Sequence, residues 1–261
     1  MENVEQSRRL YLDLVKRCLV NMIYPQAEEM PRSWPLFRDA DGKFLPLDTT
    51  NRMEGRIWPP IAHTMIGLKR LDNLEFCIEK VITDGVPGDL VETGVWRGGA
   101  TIFMRAVLKA YSVIDRYVWV ADSFEGLPSP NTDKCPHDAG SRLHESRELA
   151  VSLEEVKANF EKYGLFDNQV RFLKGWFRDT LPSAPIERLA VLRLDGDMYQ
   201  STMDALGNLY PKLSEGGYII VDDYGAVPAC RQAVNDYRSV NAIKEEIRKI
   251  DWTGVFWQKG N

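Results

Sequence analysis

The chain alternates between stretches with the 3.6-residue apolar spacing of a helix and short continuous apolar runs, and the order of the two carries the first information. Over residues 4–24, Leu10, Leu14, Val15, Cys18, Leu19 and Met22 recur at helical spacing with charges between them, which predicts an amphipathic helix. A second helical run covers residues 61–85, opened by Pro59 and Pro60 and closed by Gly85, residues that favour a helix start and stop. Between them, Tyr24 to Pro60 is rich in Pro, Asp, Arg and aromatics and follows neither period. An irregular stretch of that length predicts a lid or a subunit contact.

After residue 85 come five short apolar, β-branched or aromatic runs: DLVETGV from Asp89, YVWVADSF from Tyr117, VRFLKGWF from Val170, LAVLRLDGD from Leu189 and GYIIVDDYG from Gly217. Helical stretches lie between them at 100–110, from the capping box at Ser152 to Tyr163, and at 201–213. Strand and helix in alternation predict a parallel sheet covered on both faces. The chain closes with EEIRKIDW and GVFWQK around Thr253-Gly254, a predicted hairpin that brings in an antiparallel strand. The polar segment 127–150 falls between the second and third runs and is a second candidate lid. The expected division is an N-terminal helix and arm over 1–60 and a sheet domain over 61–261.

An apolar fraction of 44% with 27% charged residues suits a globular core and excludes disordered, fibrous and coiled-coil classes. A net charge of −5 without a Lys/Arg cluster argues against a nucleic-acid partner, since affinity for phosphate backbones comes from clustered cations. No run approaches the ~18 apolar residues of a membrane span. The first residues also lack the apolar core of a signal peptide, so a cytoplasmic protein without a membrane partner is expected. Cys18, Cys77, Cys135 and Cys230 form no CxxC pair, and His63, His137 and His144 are scattered, so neither a zinc knuckle nor a histidine-based metal site is expected.

In open α/β sheets ligands bind beyond the carboxyl ends of the strands. Those ends carry Glu92 and Gly94, Asp122 and Ser123, Gly175 and Trp176, Asp195 and Asp197, and Asp222 and Asp223. The turn that starts at Glu92 spaces its glycines as GxxxGG, and its acidic residue would repel a pyrophosphate, so a cationic ligand fits it better. Asp122 suits a pair of ribose hydroxyls. Each has a structural alternative, Glu92 as a helix cap and Asp122 as a turn former, but their register on successive strands favours a nucleoside. Asp195, Asp197, Asp222 and Asp223 bring at least three acidic groups to one point, where repulsion raises their pKa values unless a cation neutralises them. All-oxygen donors select Mg²⁺, with Mn²⁺ or Ca²⁺ as alternatives. Alternation along the strand places Asp195 and Asp197 on one face, so either can ligate while the other accepts a proton. Solvated turn aspartates are the structural alternative for the whole group.

The strings TMIGLKRLDNL, LVETGVWRGGA, ADSFEGLP, LDGDMYQST and IIVDDYG resemble those of the macrocin O-methyltransferase family, whose members methylate sugar hydroxyls of macrolides and aminocoumarins. The resemblance spans about residues 50–260, and the LDGDMY and VDDYG pair is its most specific part. It implies an α/β, Rossmann-like S-adenosylmethionine-dependent methyltransferase fold with a mostly parallel seven-stranded sheet ending in an antiparallel hairpin. It also implies S-adenosylmethionine- and Mg²⁺-dependent O-methylation of a small-molecule hydroxyl, on a sugar of a glycosylated natural product. By the same resemblance Asp195, Asp222 and Asp223 hold the metal and Asp197 accepts the proton. Cofactor contacts are implied for Thr64 and Met65 at the start of the second helix and for Glu92, Thr93, Gly94, Val95 and Trp96. They are further implied for Asp122, Ser123, Phe124, Glu125 and Gly126, and for Ser152 and Trp176, the last against adenine. The aromatic N-terminal arm is expected to close the crevice or to join subunits of a homo-oligomer. Two further readings of the acidic cluster stay open: a metal-dependent hydrolase, for which no glycine-rich phosphate loop is seen, and a non-catalytic S-adenosylmethionine-binding protein.

Overall fold

A computed structural model describes residues 2–24, 48–57, 60–133 and 135–260. Its strands are β1 (Asp89–Thr93), β2 (Val118–Asp122), β3 (Val170–Lys174), β4 (Leu189–Leu194), β5 (Leu213–Val221), β6 (Arg248–Lys249) and β7 (Val255–Gln258). They form one sheet in the order β3-β2-β1-β4-β5-β7-β6. The first five are parallel, and β7 runs antiparallel between β5 and β6. The β-branched and aliphatic runs form strands buried on both sides because helices cover both faces, and β4 is buried at every position. On one face lie α1 (Glu2–Leu19), α3 (Leu68–Thr83), α4 (Gly99–Ala110) and α5 (Leu153–Lys162), with Leu12, Leu19, Leu71, Ile78, Phe103 and Phe160 in a common core. On the other face α7 (Tyr199–Leu209) and α8 (Pro228–Val240) pack Leu206, Leu209 and Val234 beside Trp257 of β7. Two short helices, α2 (Thr49–Met53) and α6 (Phe177–Thr180), lie in the connecting segments.

The seven-stranded sheet with its terminal hairpin agrees with the pattern, but helix boundaries differ. The second predicted helix begins only after Gly67, leaving residues 61–67 irregular. The 53–55 segment presses on Gly67 so closely that a Cβ there would lie 2.2 Å from the Met53 carbonyl oxygen. Thr64 and Met65 therefore stand in the loop before α3 and not at its start. The first helix ends at Leu19, short of the predicted residue 24. Of the arm, residues 48–57 contain α2, whose Asp48 cap accepts from the Asn51 amide at 2.8 Å. Trp34, Phe37, Phe44 and Trp58 lie outside the described residues.

Strand order reverses between β1 and β4, and this opens a crevice beyond their carboxyl ends. The loops that follow the two strands touch there. Gly94 has φ +84°, and a Cβ on it would lie 1.7 Å from the Asp195 carbonyl oxygen. Gly94→Ala is therefore expected to lower the unfolding free energy by at least ~1–2 kcal/mol, the cost of a left-handed alanine alone. In contrast, a Cβ at Gly207 in α7 meets nothing within 4 Å, and Gly207→Ala should stabilise by about 0.5–1 kcal/mol. Urea titration of both variants checks the pair, and equal midpoints would contradict the packing argument.

Candidate active site

The charged centre of the crevice is built by strand register. Glu92 on β1 and Arg193 on β4 are direct partners across the parallel pair. Asp195 lies two residues beyond Arg193, and Asp222 directly follows β5, so the two-residue period brings all four groups to one side. Arg193 Nη1 donates to Glu92 Oε1 at 2.5 Å and to Asp195 Oδ2 at 2.7 Å, while Nη2 donates to Asp222 Oδ1. Arg70 of α3 approaches from the other side. Its Nη1 donates to Asp222 Oδ2, its Nε to Asp251 Oδ2 at 3.0 Å and its Nη2 to the Gly55 carbonyl at 3.0 Å.

The alternation that should have placed Asp195 and Asp197 on one face ends with β4 at Leu194. Asp197 adopts φ +56° in the loop that follows. Its amide donates to Asp223 Oδ2 at 3.1 Å, which links the β4 and β5 loops. One carboxylate oxygen each from Asp195, Asp222 and Asp223 lie within 4.8 Å of one another.

For Asp222 the neutralising cation comes from the chain itself, because both of its oxygens face guanidiniums. That holds for only part of the cluster. Asp197 and Asp223 form no ion pair among the described residues, and burial together with the neighbouring carboxylates raises the pKa of both. Asp195 is raised by burial and by Asp222, against the pull of Arg193. Burial pushes Glu92 up to about 8 although Arg193 opposes it. For Arg193 burial favours the neutral form, but Asp222, Asp195 and Glu92 outweigh it and hold the guanidinium protonated.

The other half of the crevice is assembled around Asp122. Its Oδ2 accepts from the Val95 amide and its Oδ1 from the Phe124 amide, both at 2.7 Å, so the carboxylate ties the β1 loop to the β2 loop. Gly98 and Gly99 also serve contacts within the protein. A Cβ at Gly98 would lie 2.9 Å from Val156 Cγ1, and one at Gly99 would lie 2.4 Å from the His63 carbonyl oxygen and 2.6 Å from Thr64 Cβ. The glycine-rich turn thus draws Thr64 and Met65 to the cleft, a role the motif alone did not suggest.

One cleft is lined by Asp195, Asp197, Asp222 and Asp223 together with Thr64, Met65, Glu92, Gly94, Val95 and Trp96. Asp122, Ser123, Gly126 and Trp176 continue the same wall. Thr93, Phe124, Glu125 and Ser152 do not line it. Ser152 caps α5, its hydroxyl accepting from the Glu155 amide at 3.2 Å. The buried Oε2 of Glu92 has no hydrogen-bond partner among the described residues. An unpaired carboxylate oxygen on a cleft-lining residue fits the ammonium of an amino-acid-like ligand, and the all-oxygen aspartate set fits a hard divalent ion.

Sequence reading missed Arg70, Arg178 and Gln200, which also line the cleft, and it missed Asp138. Met198 gives the start of α7 no side-chain cap. Asp138 supplies one from the distant 127–150 segment, accepting from the Tyr199 amide at 2.7 Å and the Gln200 amide at 3.1 Å. Leu127, Pro128, Leu143 and Leu149 from that segment reach the cleft. The uncapped helix start was the only signal available, and it does not say which residue answers it.

Comparison with known proteins accords with this geometry. The model of the macrocin O-methyltransferase family (TylF) matches residues 8–259. The chain is 58% identical to the 8-demethyl-8-(2,3-dimethoxy-alpha-L-rhamnosyl)-tetracenomycin-C 4'-O-methyltransferase of Streptomyces olivaceus, over 97% of this chain and 94% of that one. It is 53% identical to the mycinamicin III 3''-O-methyltransferase of Micromonospora griseorubida, over 96% of each. The solved structure of the O-methyltransferase NovP superposes with a TM-score of 0.88 at 51% identity, covering 97% of this chain and all of the other. The chain belongs to the macrocin O-methyltransferase family, and it is an S-adenosylmethionine-dependent O-methyltransferase with the Rossmann-like fold of that class.

His63 provides a pH test of the wall it builds. Its Nδ1 lies 2.8 Å from the Tyr163 hydroxyl, and burial, helped by Lys162 and Arg97, lowers its pKa from 6.5 to about 4. A depressed histidine pKa means that the unfolded chain binds the proton first, so this contribution to stability is complete above about 6.5 and is lost as the pH falls toward 4. His63→Phe should therefore show a smaller drop in Tm than the parent between pH 7 and pH ~4.5. Parallel Tm-versus-pH curves for the two proteins would contradict this.

Proposed function

We propose that this member of the macrocin O-methyltransferase family methylates a hydroxyl on a sugar of a glycosylated natural product, with Mg²⁺ held by Asp195, Asp222 and Asp223. The reading is carried by one observation. Among the described residues, Glu92, Asp195, Asp197, Asp222, Asp223 and Asp251 gather around the two guanidiniums of Arg70 and Arg193, so the acids outnumber the cations paired with them, an arrangement suited to cationic ligands. A sugar acceptor is supported by the rhamnosyl group in the name of the tetracenomycin relative.

Bound S-adenosylmethionine would supply the sulfonium methyl group, and bound Mg²⁺ would supply charge that makes an aliphatic hydroxyl easier to deprotonate. Glu92 presents its free Oε2 to the cofactor ammonium. Asp122, anchored through two amides, offers its remaining lone pairs to the ribose hydroxyls, and Trp176 provides a face for adenine. Asp197 takes the acceptor's proton, and its raised pKa makes it a better base than an ordinary aspartate. Leu127, Leu143 and Leu149 narrow the cleft and exclude water. The cluster does not favour a hydrolase, because the β1 turn supplies an acid where a phosphate would need amides and cations.

We also infer that the chain forms a homo-oligomer through its N-terminal arm, with α1, which precedes the arm, adding an exposed apolar strip to the contact. Leu12, Val15 and Leu19 are buried in the core, while Leu10 and Leu14 on the opposite side stay 66% and 53% exposed. A Leu10→Glu/Leu14→Glu double variant should run as a monomer in light scattering while the parent runs as a dimer or larger, and identical masses would refute the pairing.

The aspartates should separate by their response to metal. Asp223→Ala should lose activity that partly returns at high Mg²⁺, since it gives up a ligand without stranding a guanidinium. Asp197→Asn should keep cofactor and metal binding, while kcat falls by roughly 10²- to 10⁴-fold and added metal does not rescue it. Methyl transfer is followed by mass spectrometry as the gain of one CH₂ unit on polyhydroxylated acceptors. Mg²⁺ rescue of Asp197→Asn but not of Asp195→Asn would exchange the two roles, and full activity in all of these variants would remove the metal site.

A further inference from the structure

We propose that Arg193 is a positioning residue for both ligand sites at once, with a single guanidinium setting the cofactor-side carboxylate and the metal-side carboxylates in one geometry. The inference rests on the functional reading above, which assigns Glu92 to the cofactor and Asp195 and Asp222 to the metal. Arg193 itself touches neither ligand site, being 1% exposed beneath the cleft.

Three observations carry it. Nη1 is shared between Glu92 Oε1 and Asp195 Oδ2, so the two half-sites are joined through one nitrogen. Arg193 is the only hydrogen-bond partner of the Asp195 side chain among the described residues, so nothing else there orients that ligand. For Glu92, which lines the cleft, the bond to Oε1 leaves the buried Oε2 without a hydrogen-bond partner among the described residues. The second buried arginine differs. Arg70 reaches Asp222, Asp251 and Gly55 but not Glu92 or Asp195, so it belongs to the metal half alone. A lysine at position 193 would keep the charge, yet an ammonium cannot reproduce the planar fork that addresses three separate carboxylates.

The test uses the full chain and two separate calorimetric titrations: S-adenosylhomocysteine in EDTA, and Mg²⁺ without nucleoside. Arg193→Lys should weaken both by about tenfold or more, the scale of a lost charge-assisted hydrogen bond. Arg70→Lys should weaken Mg²⁺ binding but leave S-adenosylhomocysteine within about twofold. A loss confined to one ligand in Arg193→Lys, or equal losses on both ligands in the two variants, would overturn the inference. If Arg193→Lys does not fold, Glu92→Gln and Asp251→Asn take its place. Each replaces one buried carboxyl group by an amide, but only the first contacts Arg193. Glu92→Gln should then reduce Mg²⁺ affinity more than Asp251→Asn, and equal reductions would overturn the inference. Failure of the parent protein to bind either ligand would overturn the functional reading together with this one, whereas parent binding without the double loss overturns this one alone.

Discussion

Arg193 places a permanent charge near the carboxyl end of a fully buried strand, and the polar architecture of the cleft follows from how that charge is satisfied. An ion taken out of water costs several kcal/mol unless it is paired and hydrogen-bonded. Here the pairing comes from the carboxyl ends of three neighbouring strands, Glu92 within β1, Asp195 just after β4 and Asp222 just after β5. Satisfying one cation with three anions overshoots, and Arg70 corrects part of the excess. In doing so it links α3, the 53–55 loop and the hairpin loop at Asp251 to the same centre. Among the described residues Asp197 and Asp223 remain without an ion-pair partner, which suits the cleft to positively charged ligands.

Close packing of loops makes that centre usable. Gly94 lets the β1 loop lie on the Asp195 carbonyl, and Gly99 lets the start of α4 lie on His63 and Thr64. Both contacts bring chain segments distant in sequence to one wall. Asp122 adds a third tie, since its two oxygens hold the β1 and β2 loops at a set separation. Asp138 does the same for the 127–150 segment by capping α7 immediately beyond Asp197. The carboxylates of this protein therefore divide between chemistry and construction. Residue type alone does not tell the two uses apart, because a buried carboxylate needs donors in either case.

The order of elements was legible in the sequence because burial on both faces demands continuous apolar strands, and a parallel sheet demands a helix between them. The polar strand ends were legible for the same reason, as acids that follow apolar strands have the crevice as their natural place. Less legible was the start of α3, where apolar spacing continued into residues 61–67 but the approach of Met53 to Gly67 keeps them out of the helix. Asp197 illustrates the other limit. Its expected orientation relied on strand alternation, which lapses once a residue enters the left-handed region.

By itself, the amino-acid pattern determined that this chain forms a mostly parallel sheet with acids at its carboxyl edge, since hydrophobic periodicity is local and each strand declares its own face. Only the tertiary structure decided which acids share a cation. The register between β1 and β4 sets Glu92 opposite Arg193, and helix packing brings Arg70 across from α3. Such pairings depend on distances between segments a hundred or more residues apart, and a linear pattern holds no record of those distances.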